Sequence, residues 1–333
     1  MYIRGVDGTG KSQVIDAVRD FFAYRNQTQQ LRLCAYMSIA ASNIKDMTLH
    51  SALCMSHRNK TYQNAQSNSD MQAMWQGVDW LFIDEVSMLS CEFLAKISLA
   101  LLTAKGNVEP FGGINVVTAG DFAQLPPVVE TKLFTRWQGH SNLLSIIGQR
   151  RLMGHLLWLS FKMVVILDEQ WCQHGESNKV FVELLMHLQE GECTEADFQL
   201  LNTRQIDKCD PRSLTRFDWA TIPVIVLDNT IKDAFNSFVA ERFAEATNQV
   251  LHWYCAEDVY KKMVIANEAL VAHLHHLSSE KTSQMLGKMP LILGMLVYML
   301  HNFDIEHEII NSARGISTVL LVKRCHSFLI TKF

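Results

Sequence analysis

Residues 5–12, Gly-Val-Asp-Gly-Thr-Gly-Lys-Ser, constrain this chain more than any other stretch. They fit G-x-x-x-x-G-K-[ST], a loop that wraps polyphosphate. Such binding needs dense positive potential at backbone range. Gly5, Gly8 and Gly10, with Thr9 between the last two, let the main chain turn tightly with its N–H groups pointing inward. Lys11 then reaches the β- and γ-phosphates, and the Ser12 hydroxyl can hold Mg²⁺. The helix that must follow adds a favourable dipole. Val14, Ala17, Val18, Phe21 and Phe22 recur at helical spacing directly after the loop. Before it, Met1 to Arg4 form a strand stub. The alternative is a glycine-rich turn ahead of an ordinary helix, and the rest of the chain argues against it.

Two later stretches supply chemistry a polyphosphate site needs. Trp80-Leu81-Phe82-Ile83-Asp84-Glu85 is an apolar strand ending in two carboxylates. Two such groups at a buried strand end are costly unless a cation is near. Asp84 would hold the Mg²⁺ shell, and Glu85 would orient and deprotonate the attacking water. The strand Ile114 to Ala119 runs into Gly120-Asp121-Phe122-Ala123-Gln124-Leu125-Pro126-Pro127-Val128. Gln124 is uncharged and can hydrogen-bond both a phosphate oxygen and a water, which suits a γ-phosphate sensor. In open parallel sheets ligands gather at the C-terminal strand ends, where all three stretches fall.

Composition excludes more than it identifies. A chain of 333 residues has length for two domains and an ample core. A net charge of −4 gives no global basic signature, so any nucleic-acid contact needs a local groove. The cysteines at 34, 54, 91, 172, 193, 209, 255 and 325 form no C-x-x-C pair. They read as reduced thiols of an intracellular protein, not a zinc site or disulfide framework. His273, His275 and His276 read as a helix face, and no structural metal is expected. No apolar run is long enough for a membrane span, and the N-terminus leads straight into the strand and loop, without a signal peptide.

Along the remainder, Leu31 to Met37 reads as a strand and residues 56 to 73, polar and rich in Asn, Gln and Ser, as a surface loop. Phe93, Leu94, Ile97 and Leu101 mark a helix. A second α/β rhythm starts with the strand Met163 to Leu167. It continues through a helix stopped by Gly191, a capping box over Thr194 to Asp197, a strand Ile222 to Leu227 and a helix capped by Asn229. A helical pattern covers 256 to 278. Met295 to Leu300 and Ser317 to Val322 are β-like.

The three motifs in this order, worded DEVSM at 84–88 and GDFAQLPPV at 120–128, resemble the petite-integration-frequency family of DNA helicases, in the RecD-like group of superfamily one. His50-Ser51-Ala52-Leu53, Ile222-Pro223-Val224-Ile225-Val226 and Met289-Pro290-Leu291 with Gly294-Met295 add to the resemblance, which looks nearest to the helicase regions of Helitron-type transposons. It implies a P-loop NTPase with a RecA-like parallel sheet, helices on both faces, over 1–160. An incomplete second RecA-like domain over 161–285 and a partial SH3-like β unit over 286–333 would follow. The implied activity is ATP-dependent, 5′ to 3′ movement along single-stranded DNA with unwinding of forked duplexes, using ATP and Mg²⁺. Repair, recombination and telomere maintenance are the implied settings, in the nucleus if the source is eukaryotic. By position, Lys11 and Ser12 would bind phosphate and metal, Asp84 metal and Glu85 the water. Gln124 would couple nucleotide to DNA, and Thr48, His50 and Ser51 would lie along the strand.

The departures matter equally. The family's L-x-E-x-x-R-Q phrase carries an arginine where Leu167-Asp168-Glu169-Gln170-Trp171-Cys172-Gln173 has Cys172. Such an arginine neutralises charge on the transferred phosphoryl, which cysteine cannot do. The family's A-P-T-G is here Ala35-Tyr36-Met37-Ser38, and its N-G-A-R-G is Asn311-Ser312-Ala313-Arg314-Gly315. Family motifs expected upstream of the P-loop and downstream of the β unit lie outside the sequence. The second expectation is therefore a decayed or fragmentary helicase that binds ATP and DNA without unwinding.

Overall fold

The computed structural model describes residues 1–44, 46–54, 64–136, 145–171, 176–205, 223–282, 284–300, 303, 309–311, 313–320 and 329–332. By its internal contacts the chain divides into two units, Met1–Asn202 and Thr203–Phe333.

The first unit is built on six parallel strands: β1 (Tyr2–Gly5), β2 (Leu31–Ala35), β3 (Met47–Thr48), β4 (Trp80–Asp84), β5 (Asn115–Gly120) and β6 (Val164–Leu167). Their order is β3-β2-β4-β5-β1-β6. Side chains alternate across a strand, and β4 shows how a sheet covered on both faces uses this. Leu81 and Ile83 enter one core with Leu94, Ile97 and Leu101 of α5 (Cys91–Lys105). Phe82 enters the opposite core with Ile3, Leu33 and Ile15 of α1 (Lys11–Tyr24). Ser90 caps α5, its hydroxyl accepting from the Phe93 N–H at 3.0 Å. α2 (Ser38–Asn43) packs on the α1 side, and α6 (Ile146–Leu159) lies against α5. Because β1 lies between β5 and β6, the chain leaves it toward β2 and returns to flank it on both sides. That is the reversal of strand order at which α/β sheets open a crevice.

Two expectations for this unit change. Met163 to Leu167 was expected beyond a boundary at 160, but β6 is hydrogen-bonded along β1, with Tyr2 opposite Val164 and Gly5 opposite Leu167. The polar run expected as loop is helical from Asn64 to Trp75 (α4), with α3 (Leu49–Ala52) just before it in the chain. Met71 and Trp75, four apart, reach the core, and the Trp75 indole donates to the Ala52 carbonyl at 2.9 Å. Met74 packs beside them, half-buried. Residues 56–63 lie outside the described part. α7 (Glu176–Glu190) and α8 (Glu195–Asn202) complete the unit. The Thr194 hydroxyl accepts from the Asp197 N–H at 3.3 Å, and the Asp197 carboxylate accepts from the Thr194 N–H at 2.7 Å, a reciprocal cap.

In the second unit α9 (Asn229–Thr247) carries Ala240 and Ala244 against Ile292. Its cap is Asp228, not Asn229: the carboxylate accepts from the Thr230 N–H at 2.6 Å. Residues 223–227 are not a strand, and Ile222 lies outside the described part. The long helix expected over 256 to 278 reduces to α10 (Glu268–His275). Before it β7 (His252–Cys255) precedes a hairpin of β8 (Val259–Tyr260) and β9 (Met263–Val264). Lys261 and Lys262 both have positive φ, as a two-residue turn of the I′ kind requires. β10 (Lys288–Leu291) pairs antiparallel with β7. β11 (Leu296–Tyr298), β12 (Arg314–Leu320) and β13 (Leu329–Lys332) form an antiparallel three-stranded sheet.

Candidate nucleotide site

The glycine-rich loop joins β1 to α1. Gly8 and Gly10 adopt φ of 84° and 87°, the left-handed region, so the chain doubles back before the helix. The Thr9 hydroxyl donates to the Val6 carbonyl at 2.7 Å and closes the curve. Inside it, the Lys11 ammonium donates to the carbonyls of Gly5 at 2.9 Å and Val6 at 3.0 Å. Anionic phosphate oxygens are stronger partners for an ammonium than neutral carbonyls are. Ser12 follows on the first turn of α1, exposed.

Asp84 closes β4, and its backbone pairs with β2 at Ala35. The carboxylate is buried, and one oxygen accepts from the Glu85 N–H at 2.9 Å. Burial pushes its carboxyl above the ordinary value, against the pull of that hydrogen bond and of Lys11. Glu85 is also raised, first by burial, then by Asp84, with Asp7 and Asp121 adding to it and Lys11 opposing. Glu85 takes φ 55° and ψ 48°, a left-handed conformation uncommon for a side-chain-bearing residue. That turn brings Val86 against β5: a Cβ on Gly120 would lie 2.9 Å from the Val86 nitrogen. Only glycine allows the approach, so Gly120 sets how closely the carboxylate turn rests on the next strand.

Asp121 follows, buried. Its carboxylate accepts from the Ala123 N–H at 3.1 Å and from the Gln189 amide at 3.3 and 3.2 Å. The Asp121 carbonyl accepts from the Gln124 N–H at 3.0 Å, which fixes the turn presenting Gln124. Tyr2, whose hydroxyl donates to the Gly120 carbonyl, is pushed up to about 12 by burial and by Asp121. Gln124 shares a cavity of about 580 Å³ with Glu85, and no residue of 5–12 lines it.

Lys11, Asp84 and Glu85 are therefore within electrostatic reach of one another at the C-terminal strand ends, and Gln124 lines a cavity with Glu85. Thr48, His50 and Ser51 form a separate group that does not line this cavity. Thr48 is buried and caps α3, accepting from the Ser51 N–H at 3.3 Å and donating to its hydroxyl at 3.0 Å. The His50 ring stacks on Phe93 at 4.8 Å between centroids, with Tyr36 edge-on at 5.7 Å. Ser51 is exposed.

Three further residues hold the site together. Gln189 satisfies Asp121 from 68 positions away. Gln170 donates to the Asp7 carbonyl at 2.9 Å, and the Trp171 N–H to Gly8 at 2.8 Å. The segment after β6 is thus tied to the phosphate loop, a consequence of β6 pairing with β1. Cys172 and Gln173 lie outside the described residues. Among the described residues no cluster of three or more His, Cys, Asp or Glu could hold a metal. Ser12 and Asp84 carry oxygen donors of the kind Mg²⁺ takes when waters and phosphates complete its shell. A dication there would also offset the burial that raises Asp84.

Residues 1–199 match the protein family described as PIF1-like helicase. The chain is similar to the ATP-dependent DNA helicase RRM3 of Saccharomyces cerevisiae, 33% identical over 134 residues, 39% of this chain and 18% of that protein. It is similar to the ATP-dependent DNA helicase PIF1 of Xenopus laevis, 27% identical over 209 residues, 61% of this chain and 29% of that protein. It thus spans under a third of the length of these relatives. The crystal structure of Bacteroides Pif1 bound to ssDNA has a TM-score of 0.64 at 20% identity, over 99% of this chain and 68% of that one. At that identity the likeness concerns the fold, a RecA-like P-loop α/β architecture.

Proposed function

Because this chain belongs to the PIF1-like helicase family, we propose that it is an ATP-driven motor on single-stranded DNA. One observation carries the reading: Lys11, held on the Gly5 and Val6 carbonyls at the end of β1, and Asp84 and Glu85 at the end of β4 stand at the same edge of one parallel sheet, two strands apart. Loop N–H groups and Lys11 bind the β- and γ-phosphates of ATP, Lys11 exchanging the Gly5 and Val6 carbonyls for phosphate oxygens. Glu85 takes the proton of the attacking water. A carboxylate held above its ordinary value is a stronger base for that transfer. Gln124, fixed through Asp121, hydrogen-bonds the γ-phosphate or the water and carries nucleotide state toward the strand. Ser12 and Asp84 would hold Mg²⁺, which supplies charge neutralisation on the phosphate oxygens. Thr48, His50 and Ser51 border the strand in this reading, with His50 and its aromatic neighbours the stacking surface and Ser51 the exposed hydroxyl.

The family resemblance supports 5′ to 3′ movement, single-stranded and forked DNA as substrates, settings in repair, recombination and telomere maintenance, a nuclear site in a eukaryote and a Helitron-type origin. The same resemblance supports a second RecA-like domain over 161–285, apart from β6, and an SH3-like unit over 286–333.

A second reading, ATP and DNA binding without unwinding, is favoured by Cys172, which occupies the family's arginine position. Measuring forked-duplex unwinding beside ATP turnover separates the two. Unwinding abolished by Lys11→Ala supports the motor. Turnover or binding without strand separation supports the second reading, and failure to bind ATP overturns both.

A further inference from the structure

The loop that presents Gln124 is held from two sides, and the two holds differ in kind. On one side Phe122 sits among aromatic rings, with Tyr2, Trp158 and Phe134 at 5.3, 5.3 and 5.1 Å between centroids. These contacts anchor the loop to the core through β1 and α6. On the other side Gln189, half-buried in the last turn of α7, donates its amide to both oxygens of the Asp121 carboxylate, at 3.3 and 3.2 Å. That carboxylate is 4% exposed and also accepts from the Ala123 N–H, while the Asp121 carbonyl accepts from the Gln124 N–H. The Ala123 bond lies within the loop. The amide bond ties the loop to a separate element.

Gln189 is itself set in place. The chain beyond α7 is closed by the Glu192 N–H, which donates to the His187 carbonyl at 2.9 Å. The His187 ring meets the Asp197 carboxylate of α8 at 2.8 Å. Upstream, Gln170 and Trp171 are bonded to the phosphate loop at Asp7 and Gly8. The stretch 170–197 thus touches the phosphate loop near its start and the loop of Gln124 near its end.

We propose that Gln189 is a positioning residue for the γ-phosphate sensor: by holding the Asp121 carboxylate it sets the turn that aims the Gln124 side chain. This rests on the reading of Gln124 as that sensor. Hydrogen bonds to an ionised acceptor are stronger than those between neutral groups, so the amide is a firm tie between α7 and the turn. Gln189 acts only through Asp121. Its loss should therefore disturb what Gln124 does at the γ-phosphate and leave the grip of the phosphate loop on the rest of the nucleotide intact. Small displacements of a group that acts at the reacting phosphate are costly in rate.

The test uses the full chain with oligothymidylate and reads kcat and KM for ATP. Beside them stands the ratio of affinities for a non-hydrolysable ATP analogue and for ADP. Gln189→Glu sets two carboxylates together and displaces the turn. Its kcat should fall by about tenfold to a hundredfold, with KM for ATP changed by less than about threefold. Its preference for the analogue over ADP should narrow. Gln189→Ala removes the donor without adding charge and should show the same pattern, smaller. Asp121→Asn combined with Gln189→Glu reverses the bond. The introduced asparagine keeps its oxygen for the Ala123 N–H and donates its amide to the introduced glutamate. This exchange should bring kcat back to within about threefold of the parent and restore the analogue preference. A kcat within about twofold of the parent in Gln189→Glu would overturn the proposal and leave the motor reading standing. So would an exchange that recovers the thermal midpoint without recovering kcat, since Gln189 would then be a structural contact only. A raised KM at unchanged kcat would place Gln189 in nucleotide binding and also overturn it. If the parent binds ATP without turnover, the motor reading falls and the affinity ratio decides: unchanged in Gln189→Glu, it overturns the proposal, and narrowed there but recovered in the exchange, it supports it. No ATP binding at all would overturn both.

Discussion

Residues 1–202 and 203–333 differ in what they do with apolar side chains. In the first unit one six-stranded sheet buries Leu81, Ile83, Leu94, Ile97 and Leu101 completely. In the second, the sheets have two or three strands, and the core cluster described is Ala240, Ala244 and Ile292. Ile225 and Leu227 stand almost fully exposed there. Short sheets gain little independent stability. The difference accounts for where the proposed phosphate chemistry lies. Raising Asp84 and Glu85 needs a low-dielectric wall that does not yield, and a deep core on both faces of β4 supplies it.

The strongest way to break the comparison is at the carboxylates. Glu85→Gln should lower kcat for ATP hydrolysis by about 10²–10⁴-fold with ATP binding retained, measured by phosphate release and nucleotide titration. A loss under tenfold would remove Glu85 from the role of base. Next come the cores. Leu101→Ala should cost about 2–5 kcal/mol in denaturant unfolding, while Ile225→Ala should stay within about 0.5 kcal/mol. Equal costs would mean that the two units are not built differently. Gln189→Ala removes the amide donor from the buried Asp121 carboxylate and should cost about 1–3 kcal/mol, with Gln189→Glu worse because it sets two acceptors together.

The smallest effect is in the pH dependence of stability. Asp84 is raised by burial, so the folded state favours its protonated form. Its contribution is present below the unfolded carboxyl value and lost as pH rises through the higher folded value. Asp84→Asn should therefore have a higher Tm than the parent at neutral pH, the gap closing as acid protonates Asp84. A gap that widens in acid contradicts the assigned cause.

The motifs of the proposed site were easier to pick out of the sequence than the fold around them. Gly5 to Ser12, Asp84-Glu85 and Gly120 to Gln124 announce themselves because phosphate chemistry restricts residue type and spacing over a few positions. The α5 stripe was legible for a similar local reason. The pairing of β6 with β1 was not, since Val164 to Leu167 reads the same whichever sheet receives it. α4 was hidden because its apolar side chains on the core, Met71, Met74 and Trp75 among those described, gather at one end of a polar run, and the β8–β9 turn because Lys261-Lys262 lacks the usual Asn-Gly wording. Gln189 could not have been found: its role exists only once α7 meets Asp121. The Thr48 hydroxyl, expected along DNA, also caps α3 through Ser51, a local bond that the sequence did not announce.

The central claim is that this phosphate site answers to a single strand. The direct measurement is the steady-state ATP turnover of the full chain with and without oligothymidylate. The account predicts turnover that rises on adding the strand and collapses in Glu85→Gln under both conditions. Turnover that is measurable but indifferent to the strand would contradict it.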